Sequence, residues 1–359
     1  MGYRYIGSKE KLATTIIDII NDDCPHAHSV IDLMAGTGLM SLALRNRGYC
    51  VKASDVMTYS YHHLKVNLLL NMAPAFEGLN DLPLINPIAA EKYPNSNYER
   101  ALAYLNELNP LQGYFFNEFS PAGHPADATK PRMYFTPENA AKIDAIRYSI
   151  KQFHEDGRIT DIEHSLLLHT LILCVNDIAN IAGTYGHYLS HFVQRALDSI
   201  ILKPCDFEAN ENVDHEVRIG YAEELAHQLS ADVCYIDPPY IKRQYAANYH
   251  ILETLAREDT PHAIGESGLR PWRDQYSNFC SKVKIRDSFD KIIRDIDCNE
   301  FFISYSEDGL LNHKDLISFL SNYGNVESHE ILYKRFKSRR DNPNQKGPDI
   351  TEYLIHLSI

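Results

Sequence analysis

The segment from Ser29 to Gly48 constrains the fold more than any other part of the chain. Residues 29–34 form a short apolar run, and Ala35-Gly36-Thr37-Gly38 follows it directly. The residues from Leu39 to Arg47 then have the apolar spacing of a helix, which stops at Gly48. This order predicts a strand, a tight glycine turn and a helix, as in α/β folds built on parallel strands.

Further strands follow at the spacing that such a fold requires. Residues 51–54 predict a second short strand that ends at Asp55, and Tyr59 to Asn71 has a helical pattern. The sheet pattern resumes later in the chain and predicts four more strands, at 232–236, 301–304, 326–333 and 351–357. We therefore expect a Rossmann-like α/β sheet that is mostly parallel. The closing strand pair would supply one reversed strand.

The stretch from about residue 74 to residue 200 interrupts this alternation. Its first half is rich in Pro, Asn, Gly and Tyr, and two long helical patterns follow. Thr136 precedes Pro137 at the first position of one helix, and Thr160 with Glu163 forms a capping box at the start of the other. We predict an inserted, mainly helical domain over 74–200, and a sheet domain built from the flanking ranges 1–73 and 201–359.

Composition limits the class of protein. With 359 residues, 44% of them hydrophobic, the chain can bury one large core and form a second, smaller domain. The first residues lack the apolar core of a signal peptide, and the apolar stretch 166–175 is too short to span a bilayer. We expect a soluble, cytoplasmic protein with no membrane partner. Seven cysteines without a CxxC pair argue against a disulfide framework and favour buried thiols.

The tetrapeptide Asp237-Pro238-Pro239-Tyr240, directly after the apolar run 232–236, is the most informative motif. Because its prolines stiffen the turn, the Asp237 carboxylate and the Pro238 carbonyl can offer two acceptors to one planar amine. Hydrogen bonds from that amine favour a more pyramidal and more reactive nitrogen. The Tyr240 ring can stack on the base that carries the amine. The alternative is an ordinary turn at a strand end, where Asp-Pro and Pro-Pro are common.

The glycine turn and Asp55 together resemble a nucleotide-binding arrangement. Glycines allow backbone N–H groups and a helix N-terminus to approach a ligand closely. Asp55 stands at the end of the next strand, where an acid bonds the ribose hydroxyls of a nucleotide-like cofactor. The alternative is an α/β turn with a helix-capping aspartate.

In this order the motifs resemble the D12-class, Dam-like N6-adenine DNA methyltransferases over nearly the whole chain. The segment Tyr5-Ile6-Gly7-Ser8-Lys9 resembles the amino-terminal cofactor motif of that family, and residues 32–38 resemble its glycine-rich motif. Asp55 resembles the ribose acid, and residues 237–240 resemble the catalytic motif. Softer matches are 303–306 with Gly309, and 333–338.

The resemblance implies a reaction and a set of site residues. S-adenosylmethionine would be the cofactor, duplex DNA the partner, and the N6 amine of an extruded adenine the methyl acceptor. Asp237, Pro238 and Tyr240 would be catalytic, and 74–200 would recognise the target sequence. Where the family often carries a residue for the cofactor adenine, this chain has Glu223. The expected cofactor contacts are Tyr5, Gly7, Lys9, Asp32, Ala35, Gly36, Thr37, Gly38, Asp55, Glu223 and Asp237.

Charge both opposes and supports a DNA partner. The formal net charge of −13 counts against it, because lysine and arginine supply most of the affinity for phosphates. Local charge matters more than the total, and six cations crowd the stretch 334–346. We expect DNA contacts from Lys334, Arg335, Lys337, Arg339 and Arg340.

Two other kinds of function stay open. Asp- or Asn-Pro-Pro-Tyr turns also occur in RNA and protein methyltransferases, which act on guanine N2 and on glutamine side-chain amides. The motif at residues 5–9 and the large insertion favour DNA over these alternatives. A catalytically silent DNA-binding specificity subunit would be expected to lack the acid or the glycine turn, and both are intact. A cognate restriction endonuclease is a candidate partner, and the alternative is a solitary modification enzyme. We expect no metal, since His62-His63 and His187/His191 lack a third ligand and fit helix surfaces better.

Overall fold

The chain forms two compact units. The computed structural model describes residues 5–83, 96–209, 214–334 and 349–359. One unit, here called the sheet unit, comprises Lys9–Val56, Asn212–Gln244 and Ser277–Ile359. The other, the helical unit, comprises Met1–Ser8, Met57–Glu211 and Tyr245–Tyr276.

The sheet unit contains a seven-stranded sheet in the order β3-β2-β1-β4-β5-β7-β6. Its strands are β1 (Ser29–Asp32), β2 (Cys50–Asp55), β3 (Glu216–Ile219), β4 (Val233–Ile236), β5 (Glu300–Ser306), β6 (Asn325–Lys334) and β7 (Asp349–Ser358). The pairs from β3 across to β5 are parallel, whereas β7 runs antiparallel to both β5 and β6. The predicted α/β sheet with one reversed strand near the carboxyl terminus is confirmed. Strand β3 was not predicted.

The described helices, in chain order, are α1 (Ala13–Asp23), α2 (Leu39–Asn46), α3 (Thr58–Leu69), α4 (Asn97–Glu107), α5 (Tyr114–Phe119), α6 (Pro137–Glu155), α7 (Asp161–Ile178), α8 (Ala222–Leu225), α9 (Tyr245–Asn248), α10 (His250–Ala256), α11 (Ile285–Asp295) and α12 (His313–Leu320). In the sheet unit, the core joins the sheet to α11 and α12 through fully buried apolar side chains, among them Ile31, Ile236, Phe289, Phe301 and Leu316. Burial of apolar side chains is the main favourable contribution to folding here.

Three aspartates share one edge of this sheet. Asp32 ends β1, Asp55 ends β2, and Asp237 directly follows β4. Because β1 lies between β2 and β4 and all three are parallel, their carboxyl ends meet where the strand order changes direction, the usual ligand position in open α/β sheets. The antiparallel β7 starts at the same edge, with Glu352 paired to Ser306.

The helical unit begins two of its helices as the sequence predicted. The Thr136 hydroxyl caps α6, and Thr160 with Glu163 forms the expected capping box at α7. The interpretation of His62 and His63 as helix-surface residues is wrong, since both are buried where α3 packs against α7. The assignment of 74–200 to target recognition stays a prediction.

Two expectations about the whole chain can be compared with the structure. Among the described residues, no helix is long and apolar enough to cross a membrane. All seven cysteines are free, in agreement with the absence of a disulfide framework. Only three of them, Cys234, Cys280 and Cys298, are buried; the others are partly exposed.

Candidate active site

A buried lysine connects Asp237 to the reversed strand. Lys9 Nζ lies 3.2 Å from Asp237 Oδ1 and 2.7 Å from Glu352 Oε1. The Ser304 hydroxyl donates a second hydrogen bond to Glu352 Oε1, at 2.8 Å. The side chains of Lys9 and Glu352 are 6% and 2% exposed, against 20% for Asp237. The sheet unit therefore fixes the lysine and leaves the Asp237 carboxylate as the accessible member of the group.

Burial and the neighbouring charges determine how this group titrates. Removal from water raises the pKa of Asp237 to about 6; Lys9 opposes that shift, and Glu352 adds to it. Burial is the largest single effect on the pKa of Lys9 and lowers it, but Asp237 and Glu352, with further contributions from Tyr240 and Tyr235, together raise that pKa well above its usual value. Lys9 is thus an ammonium at neutral pH, and Asp237 is an anion that can bind a proton at mildly acidic pH.

Tyr240 is held from two sides within the sheet unit. The backbone N–H of Leu310 donates to its carbonyl at 2.8 Å, and its ring centroid lies 5.7 Å from that of Tyr305. The Tyr305 ring is itself fixed by Gly309, where a Cβ would lie 2.1 Å from Tyr305 Cε1. Lys9 Nζ is 5.3 Å from the Tyr240 centroid. The aromatic ring and the carboxylate therefore share one neighbour, Lys9.

The turn after β1 needs glycine and uses Asp55 as an acceptor. Gly36 and Gly38 have φ angles of 55° and 75°, which favour residues without a Cβ. The N–H of Gly36 donates to Asp55 Oδ2 at 2.8 Å. The expected turn, in which Ala35 precedes Gly36 and Thr37 lies between the two glycines, is thus closed by the same aspartate that the sequence analysis assigned to a cofactor. A carboxylate has further lone pairs for a ligand hydroxyl.

Asp32 lies beneath this turn and is 1% exposed. Its Oδ2 accepts a hydrogen bond of 2.6 Å from the Ser41 hydroxyl, whereas its buried Oδ1 has no partner among the described residues. Burial raises the pKa of Asp32 to about 7; the bond from Ser41 opposes this, and the charges of Asp237 and Asp55 add to it. An unused buried acceptor beside a glycine turn fits a ligand that brings its own hydrogen-bond donor.

Tyr5 and Gly7 belong to an aromatic cluster of the helical unit. The Tyr5 ring stacks on Tyr249 with centroids 4.7 Å apart, and lies 5.3 Å from Tyr245. The Tyr245 hydroxyl donates to the Ile6 carbonyl, and a Cβ on Gly7, whose φ is 75°, would lie 3.1 Å from that hydroxyl. The amino-terminal motif is thus divided, with Tyr5 and Gly7 in one unit and Lys9 in the other.

The remaining predicted residues are not brought into these contacts. Glu223 lies in α8, and its Oε1 accepts a 2.7 Å hydrogen bond from Ser288 on α11. Lys334 ends strand β6. The other four basic residues predicted to bind DNA, namely Arg335, Lys337, Arg339 and Arg340, lie outside the described residues.

A group of metal-ligand side chains occurs at the opposite edge of the sheet. Ligand atoms of Cys24, Glu300 and His356 lie within 4.8 Å of one another, and Glu300 begins β5. His356 is held between two carboxylates, with Nε2 at 2.7 Å from Glu300 and Nδ1 at 3.3 Å from Asp23. These contacts account for the position of His356, and we assign no metal to the cluster.

A model of the D12 class N6 adenine-specific DNA methyltransferases matches residues 5–319. The chain belongs to this family. The match includes all three carboxyl-edge aspartates and Lys9, and it confirms the resemblance that the sequence motifs suggested. A DNA methyltransferase of this family requires a methyl donor.

Proteins similar to this D12-class chain are named type II methyltransferases and modification methylases. It is 31% identical over 354 residues to type II methyltransferase M.NlaIII of Neisseria lactamica, covering 98% of this chain and 97% of that protein. It is also 31% identical to M.CviAII of Paramecium bursaria Chlorella virus 1, covering 99% and 98%. For M.FokI of Planomicrobium okeanokoites, again at 31% identity, the match covers 99% of this chain but 52% of the relative. The chain thus spans about half the length of some relatives.

Glu352 is the site residue that the sequence motifs missed in this D12-class chain. It belongs to the run 351–357, which was predicted only as a closing strand. An acid on the same strand face as Leu354, which is 1% exposed, was the available signal, because a buried carboxylate needs a partner. Its partner, Lys9, could not be inferred without knowing the strand order.

Proposed function

We propose that this chain transfers a methyl group from S-adenosylmethionine to the N6 amine of an adenine extruded from duplex DNA. The observation that carries the proposal is the carboxylate of Asp237, paired with a buried Lys9 at the carboxyl end of β4 and next to Tyr240. Membership of the family supports the reaction class. The adenine specificity and the extruded base are the proposed steps beyond it.

The Asp237 carboxylate and the Pro238 carbonyl are proposed to accept hydrogen bonds from the two hydrogens of the adenine amine. This draws electron density from the ring back toward nitrogen and makes the amine a better nucleophile. S-adenosylmethionine supplies the methyl group as a sulfonium electrophile. As the N–C bond forms and the S–C bond breaks, the nitrogen must lose a proton, and Asp237, with a pKa of about 6, can accept it.

Tyr240 is proposed to stack on the extruded adenine. A base within a duplex hides its N6 amine, so an enzyme acting there must hold the base outside the stack. Leu310 holds the backbone of Tyr240 and Tyr305 packs against its ring. These contacts lower the entropy cost of presenting the Tyr240 ring to a base. Stacking on an aromatic side chain is worth about 1–3 kcal/mol per base.

The turn between β1 and α2 is proposed to bind the methyl donor. Gly36 and Gly38 let the backbone approach it, Asp55 accepts from its ribose hydroxyls, and Asp32 Oδ1 offers an acceptor inside the site. Glu223 remains the candidate for the cofactor adenine, although its carboxylate is bonded to Ser288. The other proposed cofactor contacts are Tyr5, Gly7, Lys9, Ala35, Thr37 and Asp237.

The chain is proposed to act as the modification enzyme of a restriction system. Relatives at 31% identity are named type II methyltransferases, and in this proposal a cognate endonuclease cuts the same unmethylated sequence. Residues 74–200 would choose that sequence, and the basic stretch from Lys334 to Arg340 would contact phosphates.

Labelled S-adenosylmethionine tests the reaction and its rivals together. The protein is incubated separately with adenine-containing duplex DNA, with tRNA and with a protein extract, and the labelled duplex is digested to nucleosides. We expect label only in DNA and only as N6-methyladenine. Label in cytosine, in tRNA or in protein would contradict the proposal. Sequencing of genomic DNA from an expressing host would then give the methylated sequence.

A further inference from the structure

Five exposed cations lie on two segments of the sheet unit that adjoin the proposed catalytic loop. The first segment, 242–244, carries Lys242 and Arg243, and the second, 277–286, carries Lys282, Lys284 and Arg286. These five residues are here called the basic patch. No acidic residue occurs between Asp237 and Glu253 or between Asp274 and Asp287. Both segments are therefore locally cationic in a chain whose formal net charge is −13.

Hydrogen bonds hold the two segments against each other. The Gln244 side chain donates to the Ser277 carbonyl at 3.0 Å and accepts from the Ser277 N–H at 2.8 Å. The Cys280 thiol lies 3.3 Å from the Arg243 carbonyl. Buried Phe279 and Ile285 anchor the second segment in the core. The cations of the two segments thus belong to one surface, and that surface is fixed to the turn that carries Tyr240.

Four of the five charges in the basic patch are not used to stabilise the fold. Among the described residues, Lys242, Arg243, Lys282 and Arg286 form no ion pair with an acidic side chain. Farther along α11, Lys291 pairs with Asp295 and Arg294 pairs with Asp290, at 2.5 and 2.7 Å. Cations that gather without acidic partners create a positive local potential, which attracts a polyanion.

We propose that the basic patch binds the DNA phosphates that flank the target adenine. The inference rests on the proposed function. Lys242 stands two residues after Tyr240, so their Cα atoms are at most about 7 Å apart. A nucleotide can leave the stack only if its backbone is held in register, and phosphate contacts supply that hold without reading sequence. The patch thus acts on affinity and position, whereas the choice of sequence is made elsewhere.

Salt dependence of DNA binding tests the patch. Two variants are compared with the wild type, Lys242→Gln/Arg243→Gln and Lys282→Gln/Lys284→Gln/Arg286→Gln. The matched control, Lys291→Gln/Arg294→Gln, removes two ion-paired cations of the same unit. Binding of a fluorescein-labelled duplex is followed by anisotropy over a series of salt concentrations. We expect the slope of log K against log salt to fall by about 0.9 for each phosphate that is no longer neutralised, and the control to keep the wild-type slope.

Kinetics separates this inference from the proposed function. The patch variants should show a raised KM for duplex DNA and an unchanged affinity for S-adenosylmethionine. Slopes and KM values equal to those of the control would overturn the patch while leaving adenine methylation in place. A wild-type protein that binds duplex DNA but transfers no methyl group to adenine would instead refute the proposed function. An equal fall in slope in the control would show that the net charge of the protein, and not the basic patch, sets the salt dependence. That result would also overturn the proposal.

Discussion

Lys9 Nζ lies 2.7 Å from Glu352 Oε1, although 343 residues separate the two in the chain. The pair exists because β7 runs antiparallel to β5, which places the start of β7 beside the carboxyl edge where Asp237 lies. Glu352 repels negative charge on Asp237, whereas Lys9 stabilises it. The two residues therefore act on the proton affinity of Asp237 in opposite directions, although neither belongs to the Asp237-Pro238-Pro239-Tyr240 motif.

This arrangement predicts how the methylation rate depends on pH, and how substitution of Glu352 or Lys9 shifts that dependence. If the Asp237 anion is required, the single-turnover methylation rate should fall as pH drops through about 6, its pKa. Glu352→Gln keeps an acceptor for Lys9 but removes a charge that raises the pKa of Asp237, so the acid limb should move to lower pH. Lys9→Gln removes a charge that lowers that pKa, and the limb should move to higher pH.

The direction of these shifts distinguishes electrostatics from damage to the fold. A destabilised variant would lose rate across the whole pH range without moving the limb. Limbs that coincide for the wild type and both variants would show that Asp237 does not titrate in the reaction. Thermal unfolding of each variant, measured at the same pH values, is the control for folding.

Asp55 is expected to govern affinity for S-adenosylmethionine. Asp55→Ala loses charge-assisted hydrogen bonds worth about 1.5–3 kcal/mol, but it also frees the Gly36 N–H. Asp55→Asn retains an acceptor for Gly36 and loses only the charge. Calorimetry should therefore show weaker binding for both variants, and weaker for alanine than for asparagine. Wild-type affinity in a folded Asp55→Ala protein would remove Asp55 from the site.

Much of the sheet could be predicted because its signals are local. Short strand-like segments predicted six of the strands, the glycine turn predicted the start of α2, and capping residues predicted the starts of α6 and α7. Strand β3, at Glu216–Ile219, could not be predicted, because it is only four residues long and none of them is fully buried. Edge strands carry a weaker hydrophobic signal than central ones.

The candidate site was predictable only where its residues lie in contiguous motifs. Asp237, Asp55 and the turn around Gly36 were found because each ends a strand, and strand ends of a parallel sheet converge. The strand order places Glu352 beside Lys9, and the packing of α3 against α7 buries His63. Both are properties of the tertiary structure. Isolated acids and histidines in the sequence carry no record of them.

Acid should destabilise the helical unit through the buried pair His63 and His169. Their Nδ1 atoms lie 2.8 Å apart, which requires at least one neutral ring. Burial lowers the pKa of His169 from 6.5 to about 4 and that of His63 well below 6.5. As pH falls below 6.5 the unfolded chain binds protons that the folded chain excludes, so stability is complete above 6.5 and decreases until the folded pKa is reached.

The expected loss for His169 is about 3 kcal/mol, at about 1.4 kcal/mol per pKa unit. Urea unfolding at pH values on either side of 6.5 measures it. His169→Gln should be less stable near neutral pH but should depend less on pH. His124→Gln changes an exposed histidine of the same unit and should leave the pH dependence as it is. Equal pH dependence in wild type and His169→Gln would exclude the pair as its source.

Substitutions of Asp237 should separate charge from geometry in the reaction. Asp237→Ala removes the acceptor for the amine and should abolish transfer. Asp237→Asn keeps an amide oxygen as acceptor but loses the anion that could take the proton, and should retain a small residual rate. Lys9 keeps Glu352 as a partner in both variants, so neither leaves an unpaired buried cation. Single-turnover methylation rates should decrease from the wild type to Asp237→Asn and then to Asp237→Ala. A wild-type rate in Asp237→Ala would refute the mechanism.

Tyr240 should act through its ring and not through its hydroxyl. Tyr240→Phe keeps the face that stacks and should stay substantially active, whereas Tyr240→Ala should lose about 1–3 kcal/mol of stacking and hold the extruded base poorly. Gly309→Ala tests the same ring indirectly, because a Cβ at that position would meet Tyr305 at 2.1 Å and displace the residue against which Tyr240 packs. Fluorescence of 2-aminopurine at the target position reports extrusion. The fluorescence signal should decrease from the wild type to Tyr240→Phe and then to Tyr240→Ala, and the signal of Gly309→Ala should lie below that of Tyr240→Phe. Equal signals for the Phe and Ala variants would show that the ring does not stack on the base.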